Sequence, residues 1–263
     1  MGQMLLYAIV VLAATMAGSS VGLGGGVVIK PVLDIFSNAT TGTINFYSSL
    51  AVFTMAVVSV SKQLKQHFSF DAKKLLSISF GSVIGGFIGQ SLLQWSIQYL
   101  PSSIERVIQS IFLFLILLTV FIYTLNKKKI KSYHVTNTWA ILGVGIFLGT
   151  LSVFLGIGGG PINVAAMMIL FSFDMRSSAV YSVGIIFFSQ LTKLIMVCLP
   201  GHHVAFEWPI AICVMIFAVI GGYIGTVLNR KVDCKYLTMT YNILIGLLIL
   251  VTFGNTVRYI LAI

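Results

Sequence analysis

Charge is what this sequence has least of. Only 8% of its 263 residues carry a formal charge, and only six of those are acidic. A soluble domain of this size shows roughly 25% charged residues, so a water-facing surface is excluded. What remains is 58% apolar and falls into runs of about 20 residues, long enough to match the hydrocarbon core of a bilayer. The partner implied by composition is lipid. Cysteine is also scarce: Cys198, Cys213 and Cys234 have no paired spacing, which argues against a disulfide framework or a zinc site. His67, His134, His202 and His203 fall in polar connections with no carboxylate–histidine pattern, so no metal is expected. There is no H-E-x-x-H and no phosphate-binding G-x-x-x-x-G-K-S/T, hence no expected cofactor, no direct nucleotide coupling and no evident catalytic centre.

The net charge of +10 would suggest nucleic acid in a soluble chain. Here the basic residues gather between apolar runs, Lys62, Lys65, Lys73 and Lys74 in one gap and Lys127, Lys128, Lys129 and Lys131 in another. Such clusters mark cytoplasmic loops beside anionic lipid, so no nucleic-acid partner is expected. The first apolar run has no basic residue before it, and a similar run recurs mid-chain, so it is read as structure and not as a signal peptide.

The chain repeats itself. Gly22-Leu23-Gly24-Gly25-Gly26 returns as Gly156-Ile157-Gly158-Gly159-Gly160 at an offset of 134, with Tyr47-Ser48 falling on Tyr181-Ser182 and Phe53 on Phe187. Gly85-Gly86-Phe87-Ile88-Gly89 returns as Gly221-Gly222-Tyr223-Ile224-Gly225 at offset 136, together with Phe70-Asp71 and Phe206-Glu207. Ordered matches of this kind indicate duplication. The expected organisation is a first transmembrane repeat over 1–126, a basic linker over 127–137 and a second repeat over 138–263, all one integral membrane domain. Each half reads as four long apolar segments, near 4–21, 43–61, 75–96 and 105–125, then 138–156, 177–199, 208–228 and 236–257. One short segment follows each glycine cluster, about 27–40 and 161–173.

The fold class expected is an all-α polytopic membrane protein with inverted repeats, and the charges choose that topology. If the short segments do not cross, nine basic residues lie inside and five outside; if they do, the second half inverts and the division is twelve against two. The positive-inside rule favours the second, with both termini outside and residues 229–235 cytoplasmic. Fourteen helical residues rise about 21 Å against a hydrocarbon core of about 30 Å, which puts the glycine loops inside the membrane. Non-helical backbone at that depth is tolerated only where it is buried in protein or lines a wet cavity.

A glycine run opening a helix leaves free N–H groups and the positive end of the helix dipole aimed at one spot. Paired broken segments of this kind point to an anion site in a transporter. The candidate substrate contacts are Gly24, Gly25, Gly26, Gly158, Gly159 and Gly160, with close helix packing as the alternative role. Lys30 either adds charge to that site or pairs with Asp34 at i,i+4. Lys193, seven residues before Pro200, either lies on the pathway or snorkels to the outer surface, and Asp34 is a candidate coupling carboxyl. Asn163, Ser48, Ser182 and Tyr181 are either hydrogen-bond partners of an oxyanion or interhelical bonds. Gly85, Gly89, Gly221 and Gly225, four apart within long spans, read as packing.

Around these residues the sequence resembles the TauE/SafE family, often called sulfite exporters. The resemblance rests on Gly22-Leu-Gly-Gly-Gly-Val-Val-Ile-Lys-Pro31, Gly156-Ile-Gly-Gly-Gly160, Ser178-Ala-Val-Tyr-Ser182 and Phe206-Glu-Trp208 with Gly221-Gly-Tyr-Ile-Gly225. It implies a bacterial-type inner-membrane carrier of sulfur-containing anions such as sulfite or organosulfonates. Three positions depart from the family pattern: Ala165 stands where Pro31 has its repeat counterpart, Pro161 directly follows the second glycine run, and Tyr181 replaces a common threonine. A secondary transporter of a small anion is therefore the expected function, with a passive channel or an intramembrane enzyme as the alternatives. Oligomeric state, direction and coupling ion are not legible.

Overall fold

The computed structural model describes residues 2–37, 39–65, 71–127, 129–197 and 206–261. His67, His202, His203, Cys198 and Lys128 lie outside them. Ten helices follow in chain order: α1 (Gly2–Val21), α2 (Gly26–Phe36), α3 (Thr41–Lys65), α4 (Ala72–Tyr99), α5 (Ser102–Leu125), α6 (Thr138–Phe154), α7 (Gly160–Phe171), α8 (Met175–Val197), α9 (Trp208–Lys231) and α10 (Cys234–Leu261). There is no strand among the described residues. Seven helices (α1, α3, α4, α5, α8, α9 and α10) are long and apolar enough to cross a membrane. Large apolar side chains cover their outer faces, Leu76, Phe80, Trp95, Ile216 and Leu250 among them, as lipid contact requires.

The boundaries differ from the sequence expectation in ways that local chemistry explains. Segment 138–156 shortens to a 17-residue α6 because Gly156 turns to positive φ just beyond it. The short segments close at Phe36, where Ser37 is extended, and at Phe171, where Ser172 is left-handed. Long helices run past their apolar cores into the basic connections: α3 ends at Lys65 and α9 at Lys231. Lysine and arginine stems tolerate this because their methylenes lie along apolar surface while the charge reaches water. Asn229, expected in a connection, sits within α9, buried, with its Nδ2 donating to Ser20 O at 2.7 Å.

Small residues bring two helix pairs into backbone contact. On α4, a Cβ at Gly89 would stand 2.5 Å from Thr150 O of α6, and one at Gly85 would run into Ile146 O. On α9, a Cβ at Gly221 would stand 2.8 Å from Leu12 O of α1. These glycines serve packing, because lipid gives helices no hydrophobic drive to associate and close van der Waals fit supplies it instead. The pairings come in matched sets: α1 packs on α9 as α6 packs on α4, and α3 on α9 as α8 on α4. At the centre α3 packs against its own counterpart α8, and α5 against α10.

Two equivalent hydrogen bonds tie the central pair to the residues that open α9 and α4. Near the start of α3, Tyr47 OH accepts from Glu207 N at 2.7 Å, beyond the end of α8. Near the start of α8, Tyr181 OH accepts from Asp71 N at 2.7 Å, beyond the end of α3. The two helices run antiparallel: Gly42 and Asn45 near the start of α3 line one cavity with Lys193 and Val197 near the end of α8, and midway along both Phe53 stacks on its sequence counterpart Phe187 with centroids 5.5 Å apart.

Candidate functional site

Both glycine loops take the same unusual path. Gly22, Gly24 and Gly25 have φ of 78°, 80° and 74°, and Gly156, Gly158 and Gly159 have 67°, 78° and 69°. A Cβ at such angles costs about 1–2 kcal/mol, which is why glycine holds all six places. The loops nest into each other at the middle of the bundle. A Cβ on Gly26 would lie 2.6 Å from Ile157 O, and one on Gly160 would run into Leu23 O. Since Leu23 and Ile157 are repeat counterparts, each loop presses a carbonyl against the glycine that opens the opposite short helix. The first turns of α2 and α7 are thus buried at one centre. Their N-caps, Gly25 and Gly159, offer no side-chain hydrogen bond, and Pro161 removes one N–H from α7.

Side chains seal that centre. Ile186 and Val52 lie over both Gly24 and Gly158: Ile186 Cδ1 is 2.8 Å from where a Gly24 Cβ would stand, and Val52 Cγ1 is 3.1 Å from the Gly158 position. Ser182 Oγ donates to Gly22 O at 2.7 Å and Ser48 Oγ to Gly156 O at 3.4 Å, so each serine braces the opposite half's loop. Tyr181 is not brought to the loops; it binds the Asp71 backbone near the start of α4. Asn163, on the first turn of α7, is fully buried, and neither its Oδ1 nor its Nδ2 has a partner. Buried amides are nearly always satisfied, so this one marks a place with unmet hydrogen-bonding capacity.

Lys30 does not pair with Asp34. Its Nζ donates to Gln109 Oε1 on α5 and, at 2.8 Å, to Leu155 O just before the second glycine loop. Gln109 Nε2 in turn donates to Glu105 Oε1 at 3.0 Å, and Arg106 Nε donates to Thr41 Oγ1 at 2.9 Å. Asp34 faces the same cavity of about 20 Å³, with Asn255 and Tyr259 of α10 on its far wall, and its Oδ1 is unpaired. Glu105, Arg106 and Gln109 were absent from the sequence candidates. The signal available was their common face at the start of α5, at spacings of three and four.

Lys193 does not snorkel. It is only 2% exposed, and its Nζ has no hydrogen-bond partner among the described residues. It lines a second cavity, of about 40 Å³, bounded by α3, α4 and α8. Neither polar cavity is lined by a glycine of the loops. Among the described residues no group of three or more His, Cys, Asp or Glu is placed to hold a metal ion.

Apolar helices of bilayer length enclosing a buried polar interior with broken helices define a multi-pass membrane protein of the transporter class. The model of the sulfite exporter TauE/SafE family matches residues 7–253, and the chain belongs to that family. It is 28% identical over 255 residues to the "Probable membrane transporter protein YunE" of Bacillus subtilis (strain 168), covering 90% of this chain and 92% of that one. No solved structure matches the chain. Family and relative alike point to a membrane transporter and not to an enzyme.

Proposed function

We propose that this chain is a secondary transporter of a small anion, of the sulfite or organosulfonate kind. Its two halves are inverted repeats that expose a site beside the nested glycine loops to one side of the membrane and then to the other. The observation that carries this reading is the pair of helix N-termini without side-chain caps, α2 and α7, brought together where the glycine loops nest. Two positive dipole ends with free N–H groups attract an anion and repel a cation. The antiparallel run of α3 against α8 is what inversion requires, and the twelve-to-two division of basic residues agrees with it.

In this reading the described conformation is closed, with Val52 and Ile186 as the apolar plug over the loops. Movement of α3 relative to α8 uncovers the N–H groups, because each helix contributes one plug residue and one bracing serine. Lys30, on α2 but bonded to Leu155 before α7, couples the two halves. The sulfur-anion part of the proposal is supported by the family's description as sulfite exporters.

Uptake of ³⁵S-sulfite into proteoliposomes, competed by thiosulfate, an alkylsulfonate, a carboxylate and choline, tests the proposal. Competition by the sulfur anions and none by choline is expected. Uptake unaffected by every anion and reduced by choline overturns it.

A further inference from the structure

We infer that the cavity around Lys193 is a second anion-binding station, on the route between the glycine loops and the end of the bundle where α3 begins and α8 ends. The inference rests on the reading of the chain as an anion carrier and adds a site to it. Three helices distant in sequence supply the walls: Asn45 and Ser49 from α3, Gln90 and Gln94 from α4, and Lys193 from α8. Lys193, Asn45 and Gln90 are each only 2% exposed. Lys193 Nζ, both side-chain polar atoms of Asn45 and Oε1 of Gln90 have no hydrogen-bond partner among the described residues. A buried ammonium is strongly unfavourable without a counter-charge, and a buried amide without a partner loses its hydration uncompensated. No carboxylate lines this cavity. A small anion would answer Lys193 Nζ–H and Asn45 Nδ2–H together, and about 40 Å³ exceeds the space that a single water needs.

The opposite half shows that repeat geometry alone does not create this feature. At the equivalent places Lys193 becomes Ser59, Gln90 becomes Thr226 and Asn45 becomes Ala179. There Thr226 and Ser59 bond each other directly at 2.8 Å, and Arg176 is held by the carbonyls of Asn229 and Val232. At these three places the opposite half has no buried ammonium or amide, although Gln63 Oε1 and Lys62 Nζ further along α3 also have no hydrogen-bond partner among the described residues; on the Lys193 side the unpartnered groups line one cavity. Position supports the route as well. Asn45 lies against Gly156, whose Cβ would stand 2.9 Å from Asn45 Cγ, so one amide touches both the cavity and the second glycine loop. An anion released from Lys193 and Asn45 therefore passes directly to the loop that opens α7.

Equilibrium binding of ³⁵S-sulfite to the full-length protein in detergent, with flux in proteoliposomes as a parallel readout, tests the inference. Lys193→Met is expected to weaken sulfite binding at least tenfold and Lys193→Arg to stay within a few-fold of wild type. Asn45→Ala, which keeps the lysine and removes the Nδ2–H donor, is expected to weaken it by a smaller factor and serves if Lys193→Met does not fold. Wild-type affinity in both Lys193→Met and Asn45→Ala overturns the station while leaving the carrier reading intact, provided flux persists. Absence of sulfite binding and of sulfite flux in the wild type overturns both.

Discussion

Replacing Gly26 with alanine is the sharpest perturbation of the glycine centre. Gly26 does not have positive φ, so the change adds no backbone strain and acts only through the new methyl. That methyl would stand 2.6 Å from Ile157 O and 3.0 Å from Val52 Cγ2. Ordinary contact begins at 3.4 Å, so the loops must part by 3.4 minus 2.6, or 0.8 Å. The opposing atom is a backbone carbonyl and cannot swing aside. Overpacking of this kind costs about 1–3 kcal/mol. If the nested geometry is the transported anion's site, a cost of that size reduces flux roughly five- to 150-fold. The control is Gly143→Ala on α6, where a Cβ meets nothing within 4 Å. Sulfite flux in proteoliposomes, normalised to inserted protein and set beside thermal unfolding in detergent, reads both effects. Wild-type flux in Gly26→Ala would refute the reasoning, because the loops would then be shown to part at no functional cost.

Further expectations follow from single residues. Gly25→Leu and Gly159→Leu, which force a side chain onto positive φ, are expected to abolish flux while leaving membrane insertion intact by fractionation. Lys30→Met leaves the Leu155 carbonyl and Gln109 Oε1 without their buried donor, and should destabilise the protein by about 1–3 kcal/mol for each acceptor left unpaired, read as a lowered unfolding temperature in detergent. Asp71 caps α4 by accepting from Lys74 N at 3.2 Å, and hydrogen bonds from the Lys74 side chain and backbone hold its carboxyl below the usual carboxylate range. Its stabilisation is therefore present above the ordinary carboxylate pKa and is lost as pH falls through its lowered folded-state value. Asp71→Ala should cost about 0.5–2 kcal/mol at neutral pH and progressively less in acid, by thermal unfolding at each pH. In a cysteine-free background, Lys231→Cys is expected to react with an impermeant maleimide only after permeabilisation of cells; labelling from outside contradicts the inverted arrangement. Asn229 is unsuitable for that test because it is buried.

Much of the architecture could be read from the chain because positions matched by a fixed offset take the same local structure. Tyr47 and Tyr181, matched by offset alone, make the same bond to the backbone N–H of the residue that opens α9 or α4. The glycine runs, matched the same way, have the same φ pattern. Glycine content also separated correctly into packing stripes on α4 and α9 and tight loops after α1 and α6, since spacing of four within a long span differs from an unbroken run. The side-chain roles were less legible. Ser48 and Ser182 were equally compatible with gripping an anion or gripping a carbonyl, and only the fold shows that each reaches the opposite loop. Lys30 and Asp34 have the spacing of an ion pair, yet Gln109 and Leu155, far along the chain, capture the ammonium. Lys193 lies near a helix end, which suggested snorkelling. What holds it inward is a cavity whose other polar walls, on α3 and α4, come from far earlier in the chain.

Counterflow distinguishes a carrier that alternates around an enclosed anion from a pore. Proteoliposomes loaded with unlabelled sulfite are diluted into a trace of ³⁵S-sulfite, with the membrane potential clamped. The account predicts a transient, saturable overshoot of labelled anion that internal sulfite accelerates. Uptake that neither saturates nor responds to the internal anion would contradict it.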